Sequence, residues 1–157
     1  MENDVTEVFM DKTNDNPLIK PLKDDTSEWR AKSFWRDLLG FFFTNSVLER
    51  RLRQQLKDRP NVWGIGLWPD AEHEEVAKIC AEGFNFGYAC DSINFIPDDP
   101  LNLIGDLDAA HDLCGAEAIM AIENELGLTI PESVTSNCTF GEMVRQLVAL
   151  RRKGRKI

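Results

Sequence analysis

Between residues 113 and 126 the apolar side chains Leu113, Ala116, Ile119, Ile122 and Leu126 recur at steps of three and four, and Gly127 follows directly. That spacing draws one apolar stripe along one side of a helix. A glycine just beyond the stripe closes such a helix in a left-handed turn. The sequence therefore predicts a helix over 109–126. Similar punctuation recurs elsewhere. Ser46 with Glu49 and Thr139 with Glu142 have the Ser/Thr-x-x-Glu form of a capping box, in which each partner satisfies an amide the other leaves open. The first predicts a helix over 47–58 with Val47, Leu48, Leu52 and Leu56 on one stripe, stopped by Pro60. The second predicts a last helix over 140–152 that buries Phe140, Met143, Val144, Leu147 and Leu150. Asp70 is placed to cap a helix over 70–86 with Val76, Ile79, Cys80 and Phe84 inward, and Thr26 or Ser27 one that runs to Phe43 with a break near Gly40. The expected fold class is all-α.

The segments between these helices have different characters. Residues 1–25 are polar and contain Pro17 and Pro21, which marks a mobile arm or an extended strap. Residues 26–69 form a helical N-terminal extension and an apolar connector, Val62 to Pro69, that reads as a short strand or a packed loop. Residues 70–157 form the main bundle with a basic tail. Within it, the long loop 87–108 carries Ile93, Phe95, Ile96, Leu101, Leu103, Ile104 and Leu107, so it is expected to be pinned to the bundle.

The net charge of −9 is strongly segregated: −5 over residues 1–28, +5 over 29–59, −15 over 60–144 and +6 over 145–157. An acidic middle of that strength excludes nucleic acid as its partner and favours a basic protein surface. No apolar run approaches the roughly 20 residues that span a bilayer. The acidic start, Met1 to Asp4, lacks the basic-then-apolar order of a signal peptide, so a cytoplasmic protein is expected.

Catalytic and metal chemistry find little purchase. Cys80, Cys90, Cys114 and Cys138 include no Cys-x-x-Cys pair, and His111, Asp112 and Cys114 fall short of the four suitable ligands that a structural zinc site needs. Buried reduced thiols are the expected state. His111 and Asp112 are adjacent, and neighbours on a helix point about 100° apart, so they form no dyad with each other. No phosphate-binding glycine loop is present. The expectation is a protein with no catalytic residues, no metal and no cofactor.

One stretch adds a family likeness. The run Met120-Ala121-Ile122-Glu123-Asn124-Glu125-Leu126-Gly127-Leu128-Thr129-Ile130-Pro131-Glu132 resembles the end of the second helix of an acyl carrier protein with the Ile-Pro-acid turn behind it. Downstream, Thr139-Phe140-Gly141-Glu142 is similar to the Thr-Val-Gly-Asp opening of a carrier's last helix, and Ile104-Gly105-Asp106-Leu107 is similar to the segment before the carrier's serine. The resemblance covers about 70–152 and implies an acyl-carrier-like four-helix bundle, with helix one at 70–86, helix two at 109–126 and helix four at 140–152. Carriers hold a phosphopantetheine arm on the serine of an Asp-Ser-Leu motif; the matching residues here are His111-Asp112-Leu113. A carboxylate cannot form that phosphodiester, so the resemblance implies a divergent member lacking the attachment serine.

The resulting expectation is a carrier-like module that binds a basic partner, such as a carrier-processing enzyme, through Asp112, Glu117, Glu123 and Glu125 of an acidic helix. Two alternatives stand beside it. The basic aromatic segment 29–59 is suited to an anionic membrane surface or to self-assembly, unless its aromatics pack on the bundle and its bases pair with the acidic module in cis. The triplet Asp91-Ser92-Ile93 offers an atypical serine for a carrier arm.

Overall fold

The structure, a computed structural model, describes residues 19–25, 47–88, 92–108 and 114–155. Every regular element among them is helical. We number the helices α1 (47–58), α2 (Ala71–Tyr88), α3 (Leu101–Gly105, continued by a 3₁₀ turn at Asp106–Asp108), α4 (Cys114–Leu126), α5 (Glu132–Thr135) and α6 (Phe140–Gly154). The expected all-α bundle is what the chain forms. Trp29 to Phe43, Ser46, Cys90, His111 and Asp112 lie outside the described residues.

The helix ends follow the local chemistry of the sequence. Asp70 accepts from the His73 amide at 2.9 Å, an N-cap bond that satisfies one first-turn donor of α2. Both halves of the Thr139–Glu142 capping box are made, at 3.2 and 2.8 Å. Gly127 has φ of 64° and its amide donates to Glu123 O, so α4 ends where the left-handed residue stands. The C-terminal carbonyl of α2 is capped from outside. Arg53 of α1 donates to Tyr88 O at 2.7 Å and to Leu107 O at 2.9 Å, which places a cation where the helix dipole favours one.

The loop after α2 contains structure that the sequence reading treated as coil. Leu101, Ile104 and Leu107 recur at three-residue steps and are all buried, and this short apolar stripe winds residues 101–108 into α3 and its 3₁₀ extension. The connector 61–69 forms turns rather than a strand. Gly64 and Gly66 take φ of 75° and 83°, a backbone that breaks a strand, while Val62 and Trp68 bury beneath them.

Phe84 of α2, Phe95 of the loop, Phe140 of α6 and Trp68 of the connector meet at the centre, with ring centroids 5.5–6.2 Å apart. Leu52 and Leu56 of α1 join the same core, so the N-terminal helix is an integral wall of the bundle. α2 and α4 run antiparallel: Gly83 faces Ala118 and Ile122, while the Tyr88 hydroxyl reaches Gly115. A Cβ at Gly83 would stand inside contact distance of Ile122 Cγ1 and 3.2 Å from Ala118 O, so the absent side chain is what permits this crossing. α2 and α6 are also antiparallel, because Phe84 meets Phe140 at one end while Arg151 and Arg152 pair with Glu75 and Glu72 at the other.

Candidate functional site

α4 turns two faces to different surroundings. Ala118 and Ile122 are fully buried against α2, while Met120 is 60% exposed on the far side. Ala116, Glu117, Asn124 and Glu125 are exposed as well. Positions 116, 120 and 124 repeat every four residues, and 117 and 124 are seven apart, so Ala116, Glu117, Met120 and Asn124 form one continuous strip along the helix. The outcome is a thioether flanked by carboxylate and amide groups, standing in solvent.

The four acidic positions expected to form the site are placed differently from one another. Glu117 and Glu125 are exposed on α4. Glu123 is half-buried, and its Oε1 accepts from the Ile130 amide at 2.7 Å. That carboxylate fastens the chain leaving α4 to the helix it has just left, so its position is set by the turn. Asp112 lies outside the described residues. Met120 entered the sequence reading only as part of the family match. The expected stripe hides its exposure, because residue 120 stands one turn from Ala116, which that stripe places inward and which is instead exposed; the buried face is centred on Ala118 and Ile122.

The other serine considered for a carrier arm is engaged internally. Ser92 Oγ donates to Leu56 O at 3.3 Å and lies 3.3 Å from the Asn94 amide, and the side chain is half-buried. Cys80 and Cys138 are free thiols. Burial raises both pKa values, with Glu142 adding a smaller push at Cys138, so both disfavour the thiolate. Among the described residues no group of three or more His, Cys, Asp or Glu is arranged to hold a metal ion. No helix among them is long and apolar enough to cross a membrane.

The bases of α1 and α6 are spent largely on acids of this same chain. Arg51 pairs with Asp25 at 3.0 Å, and Arg53 with Glu49 at 3.0 Å. Arg59, the base just beyond α1, is only 6% exposed. Its guanidinium grips the fully buried Asp99 through two bonds of 2.6 and 2.7 Å. No local pattern in the sequence marks it, because its partner is 40 residues away. On α6, Arg151 pairs with Glu75, while Arg152 and Arg155 bracket Glu72. The first turn of α2 is thereby neutralised, while among the described residues no base pairs with Glu117 or Glu125 of α4.

Comparison of the chain with protein-family models, with curated proteins and with solved structures gave no match.

Proposed function

We propose that this chain is a non-catalytic module of acyl-carrier type that docks a basic protein surface through α4 and carries no phosphopantetheine. The observation that carries the reading is the strip on α4, where Met120 stands 60% exposed with Glu117 and Asn124 on the same side, and Glu125 is exposed in the last turn of the same helix. An exposed apolar side chain among carboxylates offers a basic surface one contact point, while the charges supply orientation and encounter rate. The order of elements supports the carrier likeness: a long helix, an apolar loop, a second helix ending in Gly-x-x-Ile-Pro, a short helix and a last helix opened by a Thr–Glu box. Carrier-processing enzymes, whose docking sites must receive an acidic helix, are the partner class this reading favours.

The bases of the N-terminal half also support docking over a membrane role. Arg51, Arg53 and Arg59 each hold an acid of this chain, so of the five bases over 47–59 only Arg50 and Lys57 stand exposed toward an anionic lipid.

Two experiments test the reading separately. Incubating the chain with coenzyme A and a broad-specificity phosphopantetheinyl transferase is expected to leave its mass unchanged; a gain of one phosphopantetheine group overturns the missing arm. Capturing partners with the native chain and with Glu117→Lys/Glu125→Lys is expected to lose the same basic protein from the variant. Equal capture by both chains overturns docking through α4. Glu123 is left intact, so the turn after α4 is preserved.

A further inference from the structure

Residues 19–25 form no helix or strand, yet they are held at defined points across α1 and the 94–99 loop. Four contacts use the main chain of this strap. The Leu22 amide donates to Asp99 Oδ1 at 2.8 Å, and Arg59 Nη2 donates to Lys20 O at 2.5 Å. Gln55 takes both remaining bonds: its Oε1 accepts from the Lys23 amide at 3.0 Å and its Nε2 donates to Lys23 O at 2.9 Å. The amide of Gln55 thus pairs with one residue of the strap as the backbone of a neighbouring strand would. Only one side chain of the seven, Leu22, is buried, while Lys20, Pro21, Lys23 and Asp25 face solvent.

Main-chain bonds with a single apolar anchor are the way proteins bind extended peptides: the backbone supplies affinity and the pocketed side chain supplies selectivity. The donors and acceptors are themselves fixed. Asp99 is fully buried and Arg59 nearly so, and each orients the other. Pro21 holds Lys20 away from helical geometry, so the strap loses less freedom on seating than a flexible segment would. The strap also does not fill the space beside it. An open groove of about 660 Å³ runs between Lys20, Pro21 and Leu22 on one side and Gln55, Asp58 and Arg59 on the other.

We propose that Arg59, Asp99 and Gln55 form a binding site for an extended, leucine-anchored peptide, filled in cis by residues 19–25 and open to the same residues of a second copy when the cis strap is out. The contacts span 32 to 77 positions of sequence, so the seat does not depend on close chain connection to its ligand. Exchange of an identical element between copies is a low-cost route to dimers. The second copy's strap meets every requirement of the seat because it is the same sequence.

The test uses the full chain and a fluorescent peptide of Ile19–Asp25. Leu22→Asp expels the anchor and leaves the seat intact. Saturable binding of the peptide to this variant, competed by unlabelled peptide and at least tenfold weaker on the native chain, is the expected result. Adding Gln55→Ala to the variant removes two main-chain bonds and is expected to weaken the peptide about tenfold. Should Leu22→Asp lose its helical circular dichroism, the milder Leu22→Ala is titrated in its place. No binding to a folded anchor variant overturns the proposal, as does equal binding to the native chain and to the Gln55→Ala double variant.

Discussion

Asp99 is the residue on which most of the chain's separate pieces meet, and its replacement by alanine makes the sharpest test of this fold. Its side chain holds Arg59 of α1, the Leu22 amide of the strap and the Ile96 amide at 2.9 Å, while its carbonyl accepts from Phe140 at the head of α6 at 2.8 Å. Alanine keeps the carbonyl contact and removes the rest. Arg59 would retain its bonds to Asn94 O and Lys20 O, but its charge would stay almost without solvent. Breaking a buried pair from one side costs about 3–5 kcal/mol, because the remaining charge has no compensation. Two orphaned amides add about 1–3 kcal/mol each if they stay dry. The strap has one buried side chain and can lift, so water reaches the Leu22 amide and relieves part of that cost. We therefore expect a net loss of about 4 kcal/mol. With a urea slope of about 2 kcal/mol per molar, the midpoint falls by about 2 M. The assay is urea unfolding followed by circular dichroism, run beside the double variant Arg59→Met/Asp99→Leu. Removing both charges leaves no buried ion, so the double variant is expected to recover at least half of the loss. A midpoint shift for Asp99→Ala below about 0.5 M refutes the reasoning: the pair would then behave as a solvated one, worth about 0–1 kcal/mol.

Three further outcomes are expected. Gly83→Ala gains roughly 1 kcal/mol of helix propensity, but the new methyl overlaps Ile122, and overpacking of about 1–3 kcal/mol outweighs it; a thermal midpoint that rises shows that α2 and α4 cross less closely than this. Thr139→Ala removes the side-chain acceptor for the Glu142 amide and is expected to cost about 1 kcal/mol in urea unfolding, with no loss at all refuting the role of the capping box. Asp70 is pushed down from the ordinary 3.8 to about 2, first by hydrogen bonds from His73 and then by the charges of His73 and Arg152. A depressed carboxylate stabilises the fold at pH values above its unfolded value and loses that contribution as pH falls toward the folded one. Urea midpoints of the native chain should therefore drop more steeply between pH 4 and pH 2 than those of Asp70→Asn, and parallel curves refute the assignment.

Where the structure matched its sequence, the cause lay within a few residues along the chain. Thr139 and Glu142 make their box, Gly127 takes the left-handed turn, and Met143, Val144 and Leu147 bury because they share one side of a 3.6-residue repeat. α3 reads as loop in the sequence because its stripe is only three residues long and follows Pro97 and Pro100, where a short apolar run does not distinguish helix from loop. Arg59 carries no such local signal. A basic residue at a helix end next to Pro60 looks solvated, and only the fold brings Asp99 to it. On the candidate site, exposure of Glu117 follows from helix phase, whereas that of Met120 does not, because it stands one turn from Ala116 and the packing on α2 turns the buried face toward Ala118 instead. The bond from the Ile130 amide to Glu123 does not follow from phase either, because it depends on the path of the chain after Gly127.

The same distinction decides what the charge of the acidic middle is for. Read as a total, −15 over residues 60–144 describes a uniformly repulsive body. Folding sorts it into acids that are answered and acids that are not. Asp70, Glu72 and Glu75 face the arginines of α6, Glu74 accepts from the Gly64 amide, and Asp99 is locked to Arg59. Those groups hold helices together and have little field left to offer. Glu117 and Glu125 have no base beside them among the described residues, and they share their helix with the exposed Met120. Charge that stays unanswered at a distance of one helix from a neutralised one is where a basic surface gains most, because it displaces no internal partner. For that reason Glu117→Lys/Glu125→Lys is expected to abolish partner capture while the unfolding free energy in urea stays within about 0.5 kcal/mol of native, whereas reversing Glu72 and Glu75 breaks the α2–α6 contacts without touching the docking strip. The opposite pattern, with capture lost only on α2, would move the docking surface to the face that α6 already occupies.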